Sequence, residues 1–236
     1  ISLGGGLTYM GIAYLMSKKA GKEQQAFEIL NTAGYNIGNF TLPFVQSFLG
    51  PTGVIATSLF DVGNAPICLG GAYSIASVVK GEGKFSIKKI AKALSKSVAF
   101  DCYVVMVIVC LLHIPVPQIV VNFAEIIANG NAFLAMLMIG VGFKLTGDKK
   151  QLGTIARILA VRYSVAVVIA LGCYCLLPIP LEMRQALVIL SFSPIASAAP
   201  AFTGDMKGDV GLSSALNSIS IVCSIVCIVG VLLIML

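Results

Sequence analysis

Tryptophan is absent from this sequence of 236 residues, and histidine occurs only once, at His113. The sequence also lacks a Walker lysine motif, an HExxH pair and a GxSxG elbow. A Ser-His-Asp arrangement would have to form around His113 between apolar residues, where a surface histidine at a helix end is the simpler interpretation. We therefore expect no enzymatic activity and no bound cofactor.

Charge is scarce as well. Charged residues make up 11% of the sequence, whereas soluble domains contain about 25%. Hydrophobic residues reach 58%, and the mean hydropathy is +0.96. This composition predicts a protein that contacts lipid over most of its surface. The net charge of +6 would suit nucleic acid, but the basic residues stand in short loops between apolar runs, where membrane orientation explains them. We expect no nucleic-acid partner.

The seven cysteines all fall inside apolar runs, and no pair has the spacing of a metal site. The nearest pairs form CxC, at Cys173 and Cys175, and CxxxC, at Cys223 and Cys227. Cysteine in apolar surroundings is typically a small packing residue. The sequence therefore predicts no metal centre.

Eight apolar segments are candidates for membrane-crossing helices, for which about 20 residues suffice. We label them a (1–16), b (26–49), c (52–79), d (91–113), e (117–143), f (152–177), g (183–203) and h (210–236). Because the chain begins with Ile1 inside an apolar run, we expect further sequence before it. An all-α membrane protein is the predicted fold class.

The basic residues test this count of segments. If all eight segments cross, every lysine and arginine except Arg184 lies on one side, including Arg157 and Arg162 early in segment f. The positive-inside rule then places these loops in the cytoplasm and both ends of the chain outside. We expect a multi-pass protein of the cell membrane in contact with lipid.

Segments b and g are interrupted by residues that break helices. Residues 31–50 read NTAGYNIGNFTLPFVQSFLG, and residues 191–204 read SFSPIASAAPAFTG. We expect segment b to break or kink at Pro43, with Gly34 and Gly38 permitting unwinding, and segment g to break or kink at Pro194. Two interrupted segments at corresponding places in two halves indicate the substrate site of a transporter. The alternative is that proline kinks and polar pairs merely hold helices together.

The order of segments suggests a repeat, since a–b–c matches f–g–h. Five helices in each half would make the second copy inverted, giving ten helices of which the first two precede residue 1. The predicted parts are therefore the remainder of the first repeat (1–79), a cytoplasmic linker (80–90) and the second repeat (91–236).

Polar side chains and freed N–H groups at two broken helices favour an anion, typically a carboxylate. The predicted substrate-binding residues are Asn36, Gly38, Asn39, Thr41, Pro43, Asn64, Ser193, Pro194, Ser197 and Asn217. Asn217 is expected to stand opposite Asn64 across the repeat axis.

Asp61 lies in the middle of segment c, where a carboxylate is costly and functional by default. We predict that it takes up a proton coupled to transport, although a structural pairing with a backbone donor fits equally. Asp101 and Glu125 are weaker candidates, because each can face a loop or a neighbouring helix.

The stretch NIGNFTLPF, residues 36–44, resembles an element of the auxin efflux carrier family, within the bile/arsenite/riboflavin transporter superfamily. Residues 193–220 resemble that family's last two helices. Asn36, Gly38, Pro43 and Pro194 match its motifs, whereas the sequence departs from them at Ile37, Asn39, Thr41 and Ala198. The resemblance implies ten helices in two inverted repeats, crossed broken helices at the substrate site, small organic anions as substrates and a possible homodimer.

These patterns predict a secondary transporter that moves a small organic anion by alternating access, without ATP. A sodium-coupled carrier of the bile-acid type is one alternative, in which carbonyl, asparagine and serine oxygens coordinate the ion. A channel or a receptor derived from a transporter is another. The coupling ion, proton or sodium, stays open at this point.

Overall fold

The computed structural model describes residues 1–81, 86–95, 98–142 and 149–235, and within these ranges the regular secondary structure is helical apart from one isolated bridge. The helices are α1 (Ser2–Met16), α2 (Lys22–Thr32), α3 (Leu42–Phe48), α4 (Gly50–Pro66), α5 (Ala72–Lys80), α6 (Ile87–Leu94), α7 (Val98–Leu111), α8 (Gln118–Gly142), α9 (Lys149–Leu176), α10 (Leu181–Ser191), α11 (Ala199–Asp205) and α12 (Val210–Met235). Two π-helical turns, Ile37–Thr41 and Ile67–Gly71, lead into α3 and α5.

Three helical stretches of the described residues are long and apolar enough to cross a membrane. They are Gly50–Lys80, in which the second π-helical turn joins α4 to α5, Gln151–Leu176 in α9, and Val210–Met235, which is α12. A shorter apolar helix covers Asp101–Leu111. The outward faces of the long helices carry large apolar side chains, and Leu59, Val168 and Leu233 are 66%, 69% and 81% exposed. Apolar surface on this scale marks contact with lipid or with a partner. The structure thus agrees with a membrane protein, while the full count of eight crossings stays a prediction.

Segment b is interrupted earlier than its proline suggested. Helix α2 ends at Thr32, four residues without regular helix follow, and the chain then enters the π-helical turn and α3. Pro43 lies in the first turn of α3, directly after the π-helical turn Ile37–Thr41, and a proline distorts the helical turn that precedes it. Residues Ala33 to Asn36 therefore form the interruption, and at Pro43 the helix is distorted by the preceding π-helical turn rather than broken.

Segment g is interrupted where expected. Helix α10 ends at Ser191 and α11 begins at Ala199, with Pro194 between them. Segment d differs from its prediction, because the described residues form two helices, α6 and α7, and the first begins at Ile87. Of the predicted linker, residues 82–85 lie outside the described part of the chain.

Packing places both interruptions deep in the molecule. Helix α2 packs against α1 and α5, while α10 packs against α9 and α4. Gly5 and Gly6 let α1 approach closely, since a Cβ on Gly5 would stand 2.4 Å from the Tyr35 hydroxyl and a Cβ on Gly6 2.6 Å from Ile67. Helices α1, α4, α9 and α12 therefore surround the two irregular segments.

Candidate functional site

The two interruptions meet each other in the core. Tyr35 and Ile195 form an antiparallel bridge, and the Asn36 N–H donates to the Pro194 carbonyl oxygen at 2.9 Å. Both bridge residues are buried. Buried backbone groups that leave a helix need new partners, and each interruption supplies part of them to the other.

Asn64 on α4 satisfies the backbone of the first interruption. Its Nδ2 donates to the Tyr35 carbonyl oxygen at 2.9 Å, and its Oδ1 accepts from the Tyr35 N–H at 3.1 Å. Asn64 is buried, so one side-chain amide replaces the helical partners that Tyr35 has lost. This pairing explains why an asparagine stands inside an otherwise apolar helix.

Helix α12 provides hydrogen-bond partners for the backbone of the second interruption. Asn217 Nδ2 donates to the carbonyl oxygens of Ile195 at 3.0 Å and Ala196 at 3.2 Å, and Ser220 Oγ accepts from the Ile195 N–H at 3.1 Å. Asn64 and Asn217 thus serve the two bridge residues from two different helices.

Two of the predicted binding hydroxyls bond to each other instead of facing open space. Thr41 Oγ1 donates to Ser193 Oγ at 2.7 Å, and Ser193 Oγ donates to the Leu190 carbonyl oxygen at 2.7 Å. Both residues are buried. Together with Pro43, Pro194 and Asn217 they are absent from the lining of the cavity beside the bridge, so we assign these five to the framework of the site rather than to direct substrate contact.

A cavity of about 230 Å³ lies beside the bridge. It is lined by residues of both interruptions, of the two π-helical turns, of α4 and of α7. Six predicted residues are among them: Asn36, Gly38, Asn39, Asp61, Asn64 and Ser197. Asn39 Nδ2 makes a long hydrogen bond, 3.4 Å, to Ser197 Oγ, and both residues line the cavity. The N–H groups at the start of a helix have no partner in that helix, and the helical stretch of residues 37–48 begins at this cavity.

Asp61 is the acidic residue of this cavity. Its Oδ1 accepts from Asn64 Nδ2, and its Oδ2 accepts from the Tyr103 hydroxyl, each at 3.1 Å. Sequence reasoning missed Tyr103, because a tyrosine within an apolar helix carries no signal of its own. The two weaker acid candidates, Asp101 and Glu125, are exposed on α7 and α8 and do not line the cavity. His113 is exposed at the end of α7, as the sequence predicted.

Arg162 is, after Tyr103, a second residue whose role the sequence did not reveal. It was counted among the cytoplasmic charges, yet its side chain is only 1% exposed and reaches the bridge from the middle of α9. The guanidinium donates to the carbonyl oxygens of Thr32, Gly34, Ser193 and Pro194. Arg162 is therefore a buried core residue and not part of an exposed basic surface.

A larger cavity, of about 260 Å³, lies between the start of α2 and the loop joining α11 to α12. Its charged residues are mixed in sign, with Glu23 and Asp209 beside Lys80 and Lys207, and none of the predicted site residues lines it. We therefore place the candidate site at the smaller cavity, where the two interruptions and Asp61 meet. Comparisons of the chain with protein-family models, with curated proteins and with solved structures found no match.

Proposed function

We propose that the protein is a secondary transporter for a small organic anion and that the cavity beside the Tyr35–Ile195 bridge is its substrate site. One observation carries this proposal: residues of both helix interruptions line a single cavity together with a carboxylate. Irregular backbone at membrane depth is tolerated where it is buried in protein or lines a cavity. In transporters, such paired interruptions hold the substrate.

The matching roles of Asn64 and Asn217 support two inverted repeats. Each lies on the second helix after an interruption, and each bonds to the bridge residue of that interruption. The motif resemblance of residues 36–44 to the auxin efflux carrier family favours the same architecture. In this proposal the two interrupted helices cross, two further helices complete the first repeat, and the basic loops face the cytoplasm.

The negative charge of Asp61 determines which cation must bind together with the anion. A carboxylate substrate inside a cavity of about 230 Å³ would lie close to the Asp61 carboxylate, and two like charges in a poorly solvated site repel each other. Binding of a proton to Asp61 removes this repulsion. We therefore propose that one proton enters with each anion and is carried by Asp61, while Asn36 and Asn39 offer amide donors to the substrate.

A sodium-coupled carrier is the second candidate, because oxygens of Asp61, Asn64 and Tyr103 lie together at the cavity wall. Carboxylate and carbonyl oxygens are the ligands that hard cations prefer. In that case sodium, and not a proton, would neutralise Asp61 before the anion binds.

A thermal-stability panel on the detergent-solubilised protein tests both candidates. The panel holds monocarboxylates, dicarboxylates, aromatic acids and amino acids, each in sodium and in choline salts. Ligand at a hundred times its dissociation constant stabilises by about 2.7 kcal/mol. Asn36→Ala should weaken the affinity at least tenfold, about 1.4 kcal/mol. Asn122→Ala, on the exposed face of α8, is the matched control.

A carboxylate-specific shift that is reduced in Asn36→Ala and unchanged in Asn122→Ala would support the anion site and give the substrate class. Dependence of that shift on sodium would favour the second candidate. An unaltered affinity in Asn36→Ala would contradict the proposed site, and the absence of any shift would move the assignment toward a channel or a receptor.

A further inference from the structure

Arg162 is an unusual cation, because its partners are backbone carbonyl groups. Its Nη2 lies 2.9 Å from the Gly34 oxygen, 3.0 Å from the Ser193 oxygen and 3.2 Å from the Pro194 oxygen, and Nη1 donates to the Thr32 oxygen. Across residues 1–81, 86–95, 98–142 and 149–235, no carboxylate forms an ion pair with it. Three carbonyl oxygens from both interruptions thus surround one nitrogen atom.

The surroundings of the guanidinium favour positive charge in two further ways. Helices α2 and α10 both end beside it, at Thr32 and Ser191, and the C-terminal end of a helix carries partial negative charge. The rings of Tyr9 and Tyr35 face the guanidinium, with the carbon Cζ 4.9 Å and 5.3 Å from the ring centroids. Aromatic faces attract cations, most strongly where water is excluded.

Carbonyl groups at unwound backbone and the C-terminal ends of half-helices are what coordinate sodium in ion-coupled transporters. We infer that Arg162 is a built-in cation: its guanidinium occupies the carbonyl-lined position between the two interruptions that a monovalent metal ion would otherwise fill. The interruptions are therefore held together without a bound ion at this position, and carrier activity does not require sodium here.

The conclusion about sodium and carrier activity rests on the proposed function, but the test of the inference needs no substrate. Shortening Arg162 should open the carbonyl-lined position to a small cation. Arg162→Ala removes both the charge and most of the side-chain volume. Arg162→Met, the matched control, removes the charge but keeps an unbranched apolar side chain in the space.

The experiment measures Tm of the detergent-solubilised wild type and both variants in sodium, potassium and choline chloride at equal ionic strength. Both variants should melt below the wild type in choline. Sodium or potassium at roughly a hundred times its dissociation constant should then raise the Tm of Arg162→Ala by about 5 °C or more. The shift should exceed that of the wild type and be absent in Arg162→Met.

A Tm of Arg162→Ala that is the same in all three salts would overturn the inference, and so would an equal rise in Arg162→Met. If Arg162→Ala does not fold in choline, its recovery in sodium or potassium supports the inference, and failure to recover it in any of the salts contradicts it. A merely structural arginine would give no cation-specific response. Because no organic anion is present, this result is independent of whether the proposed substrate site is correct.

Discussion

Asn64 holds both backbone polar groups of Tyr35, accepting from its N–H at 3.1 Å and donating to its carbonyl oxygen at 2.9 Å. A single side-chain amide on α4 thereby fixes the point at which the first interruption touches the second. The same amide donates to Asp61. The framework of the interruption and the acidic group of the cavity are therefore connected through one residue.

Asn64→Ala should destabilise the protein, because it leaves a buried N–H and a buried carbonyl group without their partner. Each such group costs about 1–3 kcal/mol, so we expect a fall in Tm of about 4 °C or more. Thermal unfolding followed by intrinsic tyrosine fluorescence measures this effect. Asn122→Ala removes an exposed asparagine and should leave Tm unchanged; an equal loss in both variants would contradict the role of Asn64.

Gly34 in the first interruption and Gly38 in the π-helical turn after it should respond differently to an added methyl group. A Cβ on Gly34 would stand 2.7 Å from Cys68 Sγ and 2.8 Å from Ala196 Cβ, whereas a Cβ on Gly38 would meet nothing within 4 Å. Gly34→Ala should therefore cost about 1–3 kcal/mol through overpacking. Gly38→Ala should fold normally but narrow the cavity and weaken ligand binding. Comparable melting temperatures for the two variants would show that the close packing of Gly34 against Cys68 and Ala196 does not contribute to stability.

Asp61→Asn should abolish uptake driven by an inward proton gradient, because the asparagine side chain cannot take up and release the proton. Uptake of the identified anion into proteoliposomes, with and without a pH difference, measures this. The variant should still bind the anion, since the repelling charge is gone. Asp101→Asn, which changes an exposed acid on the neighbouring part of α7, should retain proton-driven uptake. Persistence of that uptake in Asp61→Asn would exclude Asp61 as the proton carrier.

Replacing Glu28 and replacing Arg157, which form an ion pair, should lower the stability by different amounts. The Glu28 side chain is 4% exposed, whereas that of Arg157 is 39% exposed. Arg157→Ala leaves a carboxylate buried beside Gln24, its remaining side-chain partner, and removing one partner of a buried pair is strongly destabilising. Glu28→Gln leaves an arginine that can reach water. We expect a larger fall in Tm for Arg157→Ala, and the reverse order would contradict the burial of Glu28.

Part of the candidate site was accessible to sequence reasoning because its signals are local. Asn36, Asn39, Asp61 and Asn64 are polar residues in apolar segments, and such residues are costly unless they have a purpose. All four line the cavity. Thr41 and Ser193 carried the same signal but bond to each other, and a hydroxyl pattern in one segment does not reveal a partner 152 positions away.

The sequence by itself determined that the chain is helical and apolar and that segments b and g are interrupted, because hydropathy, proline and glycine act through the nearest residues. Only the tertiary structure decided that the two interruptions touch at Tyr35 and Ile195, that Tyr103 joins Asp61, and that Arg162 lies buried between the interruptions. Arg162 stands 128 positions from Gly34. The sequence alone does not distinguish Arg162 from the basic residues of the loops. Its role depends on folding, which brings carbonyl groups from two distant segments around it.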